Sequence, residues 1–311
     1  MKNRALRSAG IVLMILSAGF ICYRIVKFDF SSIKLDFTVS SVVLLLFALF
    51  IQTLSVFFLG VVFSRNVGKG RNGQKVPLKG AVLVYCRSNL GKYIPGNVFQ
   101  YVERNIFFSS YGVRHVDTVL ASLLEVGCLI LSAFILSAVF GKFDIIKEVF
   151  ARYSYIIPVF LVLVLLFIIV GIVFLRKKKK SLRSLVHRLR ERGGIKLILF
   201  DIVSYTLILL IMGVVTLIAF FAVIAPGEFA PEPEGLLGAY IVAWLCGFVI
   251  VGAPGGIGVR EAVFSLIYIN TPYLDLVLAL SILVRMISIA ADVLAYIVIR
   301  VISGRISEKK V

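Results

Sequence analysis

Residues 91–104 read GKYIPGNVFQYVER, and residues 252–261 read GAPGGIGVRE. Each motif sits in the middle of an otherwise apolar stretch, 80–112 and 236–270. Proline removes a helical N–H donor, and glycine loosens the backbone around it. A continuous helix through either motif is therefore not expected. Working outward, six uninterrupted apolar runs flank the two motifs: 8–26, 39–63, 118–140, 153–175, 197–225 and 272–299. Each is about as long as the roughly 20 residues that a membrane-crossing helix needs.

Composition agrees. Of 311 residues, 60% are apolar and 16% charged, and the mean hydropathy is +1.03. Soluble domains are nearer half apolar and a quarter charged. An ordinary soluble enzyme and a disordered or fibrous chain are thus excluded, and the expected class is an all-α polytopic membrane protein. The run 8–26 ends in Tyr23, Arg24 and Lys27 rather than a small-residue cleavage site, and is read as a retained first helix.

The 34 Lys and Arg against 16 Asp and Glu give a formal net charge of +18. These basic residues fall in loops, so they point to anionic lipid headgroups and to orientation rather than to nucleic acid. Loop 64–79 has five basic residues and no acid, and segment 176–196 has ten basic residues and one acid. Segment 226–235 has three acids and no base. Placing the basic segments in the cytoplasm puts both termini there, as in a multi-pass plasma-membrane protein. The stretch 80–112 then starts and ends inside, and 236–270 starts and ends outside. Each is expected to be a re-entrant hairpin, and the two come from opposite faces.

The chain also matches itself when shifted by about 158 residues. Glu103 falls on Glu261, Asp117 on Asp275, and Val119-Leu120-Ala121 on Val277-Leu278-Ala279. Pro95-Gly96 fall on Pro254-Gly255 with a one-residue gap. Three full crossings per half make the halves oppositely oriented, residues 1–150 and 151–311. This is the inverted-repeat plan of transporters, whose sites lie at paired broken helices. Convergent Pro-Gly kinks in a helical scaffold would give a similar pattern.

Irregular backbone at membrane depth persists where it is buried in protein or lines a wet cavity. Pro95, Gly96 and Asn97, with Pro254, Gly255, Gly256 and Gly258, are therefore expected to face a cavity. Lys92, Arg104 and Arg260 stand near freed amide groups that suit an anion such as a lipid phosphate. Lys92 and Arg104 could instead snorkel to the interface, and Arg260 and Glu261, both substrate-binding candidates, could instead form a mutual or structural ion pair. Within the long helices lie Glu125, Asp201, Arg285 and Asp292, each of which needs a partner or water. Together with Glu103 they are the gating or coupling candidates. Arg285, Ser288 and Asp292 share one helical face, and Glu125 and Arg285, two residues out of exact register in the repeat, could meet across the pseudo-twofold. Gln52 is read as an interhelical hydrogen bond.

Cys22, Cys86, Cys128 and Cys246 are scattered, and His115 and His187 have no ligand neighbours, so no disulfide framework and no metal site are expected. No nucleophile–base pair, carboxylate dyad or nucleotide loop is present, so neither a cofactor nor an enzyme activity is expected.

GKYIPGNVFQYVER and PGGIGVREAVF resemble the paired signatures of the lysylphosphatidylglycerol synthase transmembrane region family, also called the flippase-like domain family. The resemblance spans nearly the whole chain. It implies the membrane half alone, without the lysyl-transferase domain that follows it in two-domain members, so aminoacyl transfer is not implied. The implied role is translocation of an anionic phospholipid or lipid-linked headgroup, with membrane lipids and envelope-synthesis proteins as partners. A non-transporting accessory subunit, or an integral-membrane enzyme of envelope lipid or glycan synthesis, is the alternative. The oligomeric state is open.

Overall fold

The computed structural model describes residues 38–68, 70, 73–94, 98–140, 193–224, 231–250 and 254–304. The expected helices 8–26 and 153–175, the basic segment 176–192, the triplet Pro95-Gly96-Asn97 and both chain termini lie outside these residues. The described residues form eight α-helices: α1 (Val39–Asn66), α2 (Leu78–Asn89), α3 (Phe99–Ser110), α4 (His115–Phe140), α5 (Gly194–Val223), α6 (Pro233–Val249), α7 (Val259–Ile267) and α8 (Leu274–Ser303). Four of them, α1, α4, α5 and α8, are long and apolar enough to cross a membrane. They coincide with the runs 39–63, 118–140, 197–225 and 272–299, with ends moved by local capping.

Those ends follow from side-chain chemistry. Thr38 opens α1 with a reciprocal cap, accepting from the Ser41 N–H at 3.3 Å while its own N–H donates to the Ser41 hydroxyl at 3.2 Å. Such a pair satisfies two orphan donors at once. Asp117 lies in the first turn of α4, held by Arg114 at 2.7 Å, where a carboxylate complements the helix dipole. Residues 271–273 form a turn, with the Thr271 hydroxyl donating to the Tyr268 carbonyl at 2.8 Å. That turn delays α8 to Leu274 rather than 272.

Within α1 apolar residues lie on both faces, Ala48, Val56, Leu59, Val62 and Phe63 being buried, so they do not by themselves mark the inside. Val43, Leu46, Phe47, Phe50, Leu54 and Phe58 are exposed, whereas Gln52, Thr53, Ser55 and Asn66 are buried. Burial of polar residues beside an exposed apolar face suits a lipid solvent, where small and polar residues mediate helix contact. The inward hydroxyls are satisfied within the helix, Thr53 donating to the Leu49 carbonyl at 2.7 Å and Ser55 to that of Ile51 at 3.0 Å. Gly60 lets α2 approach closely, since a Cβ there would lie 3.2 Å from Val82.

Elements from the two ends of the chain pack together. Helix α1 lies against α2, α5 and α8, and α4 lies against α5 and α6. The core runs through these contacts as a large cluster that includes Phe63, Tyr85, Phe108, Tyr205, Phe220, Trp244, Phe264 and Val284, and a smaller one of Val56, Val82, Leu83, Cys86, Ala295 and Ile299 where α1, α2 and α8 meet.

Both motif stretches are interrupted. In the first, α2 ends at Asn89, a 3-10 turn covers Leu90–Tyr93, and α3 restarts at Phe99. In the second, α6 ends at Val249, a 3-10 turn covers Pro254–Gly256, and α7 restarts at Val259. Helices α2 and α3 pack on each other, as do α6 and α7, and the two 3-10 turns touch. A Cβ on Gly91 would lie 2.9 Å from the Gln100 backbone nitrogen, and one on Gly255 would lie 3.1 Å from the Tyr93 ring.

Candidate functional site

Where the two turns meet, the helices line a cavity of about 130 Å³. That is room for several ordered waters. Every long described helix contributes to its wall, and so do both interrupted stretches.

Three ion pairs organise the wall. Arg104 of α3 binds Glu125 of α4, and the Tyr85 hydroxyl donates to the same carboxylate at 2.6 Å. Arg104 is 1% exposed. Its guanidinium carbon lies 4.4 Å from the centre of the Phe63 ring and 4.3 Å from that of Tyr85, so aromatic faces share the charge. Arg285 of α8 binds Glu261 of α7 at 2.5 Å, and Glu261 also accepts the Gly258 N–H at 2.7 Å. Arg285 reaches further, donating to the Gly256 carbonyl at 3.1 Å and the Gly255 carbonyl at 3.4 Å. Lys92, in the first turn, binds Asp292 of α8 at 2.7 Å. Asp292 also accepts from the Tyr93 hydroxyl at 2.5 Å and from the Asn89 amide at 2.7 Å.

Arg285 and Asp292 are seven residues apart, two turns along α8 and about 10 Å of rise. One face of α8 therefore holds both 3-10 turns, the second through Arg285 and the first through Asp292. The Arg104–Glu125 and Glu261–Arg285 pairs also correspond. In each, the short helix after the break is tied to the next long helix, with the signs exchanged.

Arg260 differs. Among the described residues no carboxylate forms an ion pair with it, and its Nε is buried without a hydrogen-bond partner. Its guanidinium carbon lies 5.6 Å from the Trp244 ring centre. The side chain threads between two glycines. A Cβ on Gly247 would lie 2.5 Å from Arg260 Cγ, and one on Gly256 would lie 2.9 Å from its Nε. Gly255, Gly256 and Gly258 have φ of 56°, 74° and 83°, in the left-handed region that favours glycine. Those three conformations turn the chain from Pro254 into α7 and aim Arg260 inward.

Of the residues the sequence singles out, Lys92, Arg104, Glu125, Gly255, Arg260, Glu261, Arg285, Ser288 and Asp292 line this cavity. Asp201 does not. It is buried in α5 and accepts from the Asn66 amide at 2.7 Å. Glu103 is half-buried on α3, away from the lining. Glu125 and Arg285 do not meet, because Glu125 pairs with Arg104 and Arg285 with Glu261. Glu261 goes to Arg285 rather than to Arg260, whose side chain points back toward α6. Gln52 makes no hydrogen bond among the described residues and lines the cavity instead of bridging helices.

Cys86 and Cys128 are free and buried, Cys246 is free and partly buried, and no metal-ligand cluster occurs among the described residues. Sequence reasoning takes Trp244 and the tyrosines for interface anchors or packing and passes over Asn89 and Gln100, yet Tyr85, Asn89, Tyr93, Gln100 and Trp244 all belong to the wall. Tyr85, Asn89 and Lys92 recur at helical spacing, and that spacing is the signal that would have found the first two. No protein-family model matches the chain, and no curated protein matches it.

Proposed function

We propose that this chain moves an anionic phospholipid or lipid-linked headgroup between membrane leaflets. On this reading the cavity is the headgroup's path, and the acyl or prenyl tails stay in the bilayer. The chain crosses the membrane six times, and 80–112 and 236–270 are opposed re-entrant hairpins of two inverted halves, residues 1–150 and 151–311. Both termini are on the cytoplasmic side of the plasma membrane.

One observation carries the reading. A guanidinium, Arg260, projects into a cavity built at two backbone breaks and has no carboxylate to neutralise it among the described residues. A buried cation without a counter-charge is costly, so an anion from outside the chain belongs beside it. The touching turns and the mirrored ion pairs support the inverted-repeat plan. The motif resemblance to the flippase-like family points the same way. Lys92 is 27% exposed and would make a second, looser contact to the headgroup. Arg104 is held by Glu125 and would act on it through the wall. Arg285 and Asp292, which hold the two turns, would gate the path.

Reconstitution tests this directly. Proteoliposomes carrying fluorescent phosphatidylglycerol should lose outer-leaflet fluorescence to dithionite and then continue past one half as inner-leaflet lipid emerges. Exchange no faster than in empty liposomes refutes translocation.

A further inference from the structure

The charge balance of the cavity narrows its occupant; this step rests on the translocation reading above. Four cationic side chains line the cavity, Lys92, Arg104, Arg260 and Arg285, against three carboxylates, Glu125, Glu261 and Asp292. Arg104, Arg285 and Lys92 each hold one of the carboxylates. Further donors occupy the same carboxylates: Tyr85 on Glu125, the Gly258 N–H on Glu261, and Tyr93 with Asn89 on Asp292. One positive charge, on Arg260, is left over among the described residues.

The uncharged part of the lining is equally specific. Gln52 is 4% exposed and Gln100 6%, yet neither carboxamide makes a hydrogen bond among the described residues, and both line the cavity. A carboxamide offers both donor and acceptor, as a hydroxyl does. Ser281 and Ser288 use their protons on the Leu278 and Val284 carbonyls at 2.8 and 2.9 Å. Their oxygens remain as acceptors.

We infer that the cavity takes a phosphodiester with one negative charge and an uncharged, hydroxyl-rich head, a polyol or a sugar. The single unpaired guanidinium matches one negative charge, and its planar fork matches two non-bridging phosphate oxygens. A phosphomonoester dianion would bring one charge too many. An ammonium head would need a carboxylate, and all three are engaged; it could bind only by breaking an ion pair. Hydroxyls on the head find the two free carboxamides and the serine oxygens.

Trp244 is the single tryptophan of the chain. It lines the cavity 5.6 Å from Arg260, so its emission reports binding. In detergent micelles, dihexanoyl-phosphatidylglycerol should change that emission saturably. Dihexanoyl-phosphatidylethanolamine and -phosphatidylcholine should bind at least tenfold more weakly. Phosphatidylmethanol, a monoanionic diester without head hydroxyls, should bind several-fold more weakly than phosphatidylglycerol, and Gln100→Ala should erase that difference. Arg260→Gln should cost at least tenfold. The chain-free head, glycerophosphoglycerol, separates the two sources of this chemistry: weak competition assigns the site to a lipid, and equal competition to a water-soluble diester. Equal binding of amine-bearing heads overturns the inference, as does unchanged affinity in Arg260→Gln or no preference for phosphatidylglycerol over phosphatidylmethanol. Should Arg260→Gln not fold, the headgroup series on the unaltered chain still decides. Leaflet exchange is scored separately. Selective binding without exchange removes the translocation reading alone, and exchange without head preference removes this inference alone.

Discussion

Severing the Arg104–Glu125 pair is the sharpest test of how the wall is held together. Arg104 is 1% exposed and Glu125 3%, so a charge that loses its partner has only the few waters of the cavity to turn to. Removing one member of such a pair costs about 3–5 kcal/mol, chiefly because the survivor is stranded. The two survivors are stranded unequally. After Glu125→Leu, Arg104 keeps the Phe63 and Tyr85 ring faces and a 3.3 Å hydrogen bond to the Ser88 hydroxyl. That places the loss near the low end, about 3 kcal/mol. After Arg104→Met, Glu125 keeps only the Tyr85 hydroxyl, and the loss should approach about 5 kcal/mol. With both changed, no charge is stranded and the loss should fall to about 1 kcal/mol or vanish. The assay is a double-mutant cycle on unfolding in mixed micelles, followed by far-ultraviolet circular dichroism. Two single variants within about 0.5 kcal/mol of the parent, or a double variant no better than the worse single, would refute the reasoning.

Other outcomes follow from the same geometry. Asp292→Asn removes the counter-charge of Lys92 and weakens three bonds, two to the first turn and one to Asn89 at the end of α2, by about 2 kcal/mol in all, so amides 90–94 should exchange hydrogen roughly thirtyfold faster; unchanged exchange would show that α8 does not hold that turn. Gly247→Ala puts a methyl 2.5 Å from Arg260 Cγ, so phosphatidylglycerol binding read from Trp244 should weaken as in Arg260→Gln. Alanine at Gly255 or Gly256 forces a side chain into the left-handed region, costing about 1–2 kcal/mol. Gly256→Ala should be the worse of the two, because its Cβ would lie 2.8 Å from the Gly247 carbonyl oxygen; thermal midpoints in detergent check the order.

The breaks were legible in the sequence because Pro-Gly chemistry is local. No tertiary contact is needed to know that a helix will not run smoothly through GAPGGIGVRE. The four long helices were legible for a similar reason, since length and apolarity set them. Partner choice was not. Glu125 and Arg285 stand at nearly matching places in the repeat, but such places under a twofold need not touch. Each finds instead the short helix that folds back beside it, which depends on the path of 98–110 and 259–267. Gln52 reads as a helix-bridging amide because such residues usually bridge in membranes; here the facing space is a cavity. Asp201 reads as a coupling charge because it is buried, yet its neighbour is the Asn66 amide at the end of α1, outside the cavity lining.

Everything proposed for this chain requires the two broken stretches to dip from opposite faces toward one shared cavity, and sided labelling tests that requirement most directly. Gln74, Arg114, Glu234 and Asn270 flank the two stretches, and all four are exposed. Single cysteines at these positions, in a chain whose four native cysteines are replaced, would be probed in sealed vesicles with a membrane-impermeant maleimide. The expected result is that 74 and 114 label from the cytoplasmic side alone, and 234 and 270 from the opposite side alone. Labelling of all four from one side, or of 74 and 114 from different sides, contradicts the inverted arrangement and the translocation path built on it.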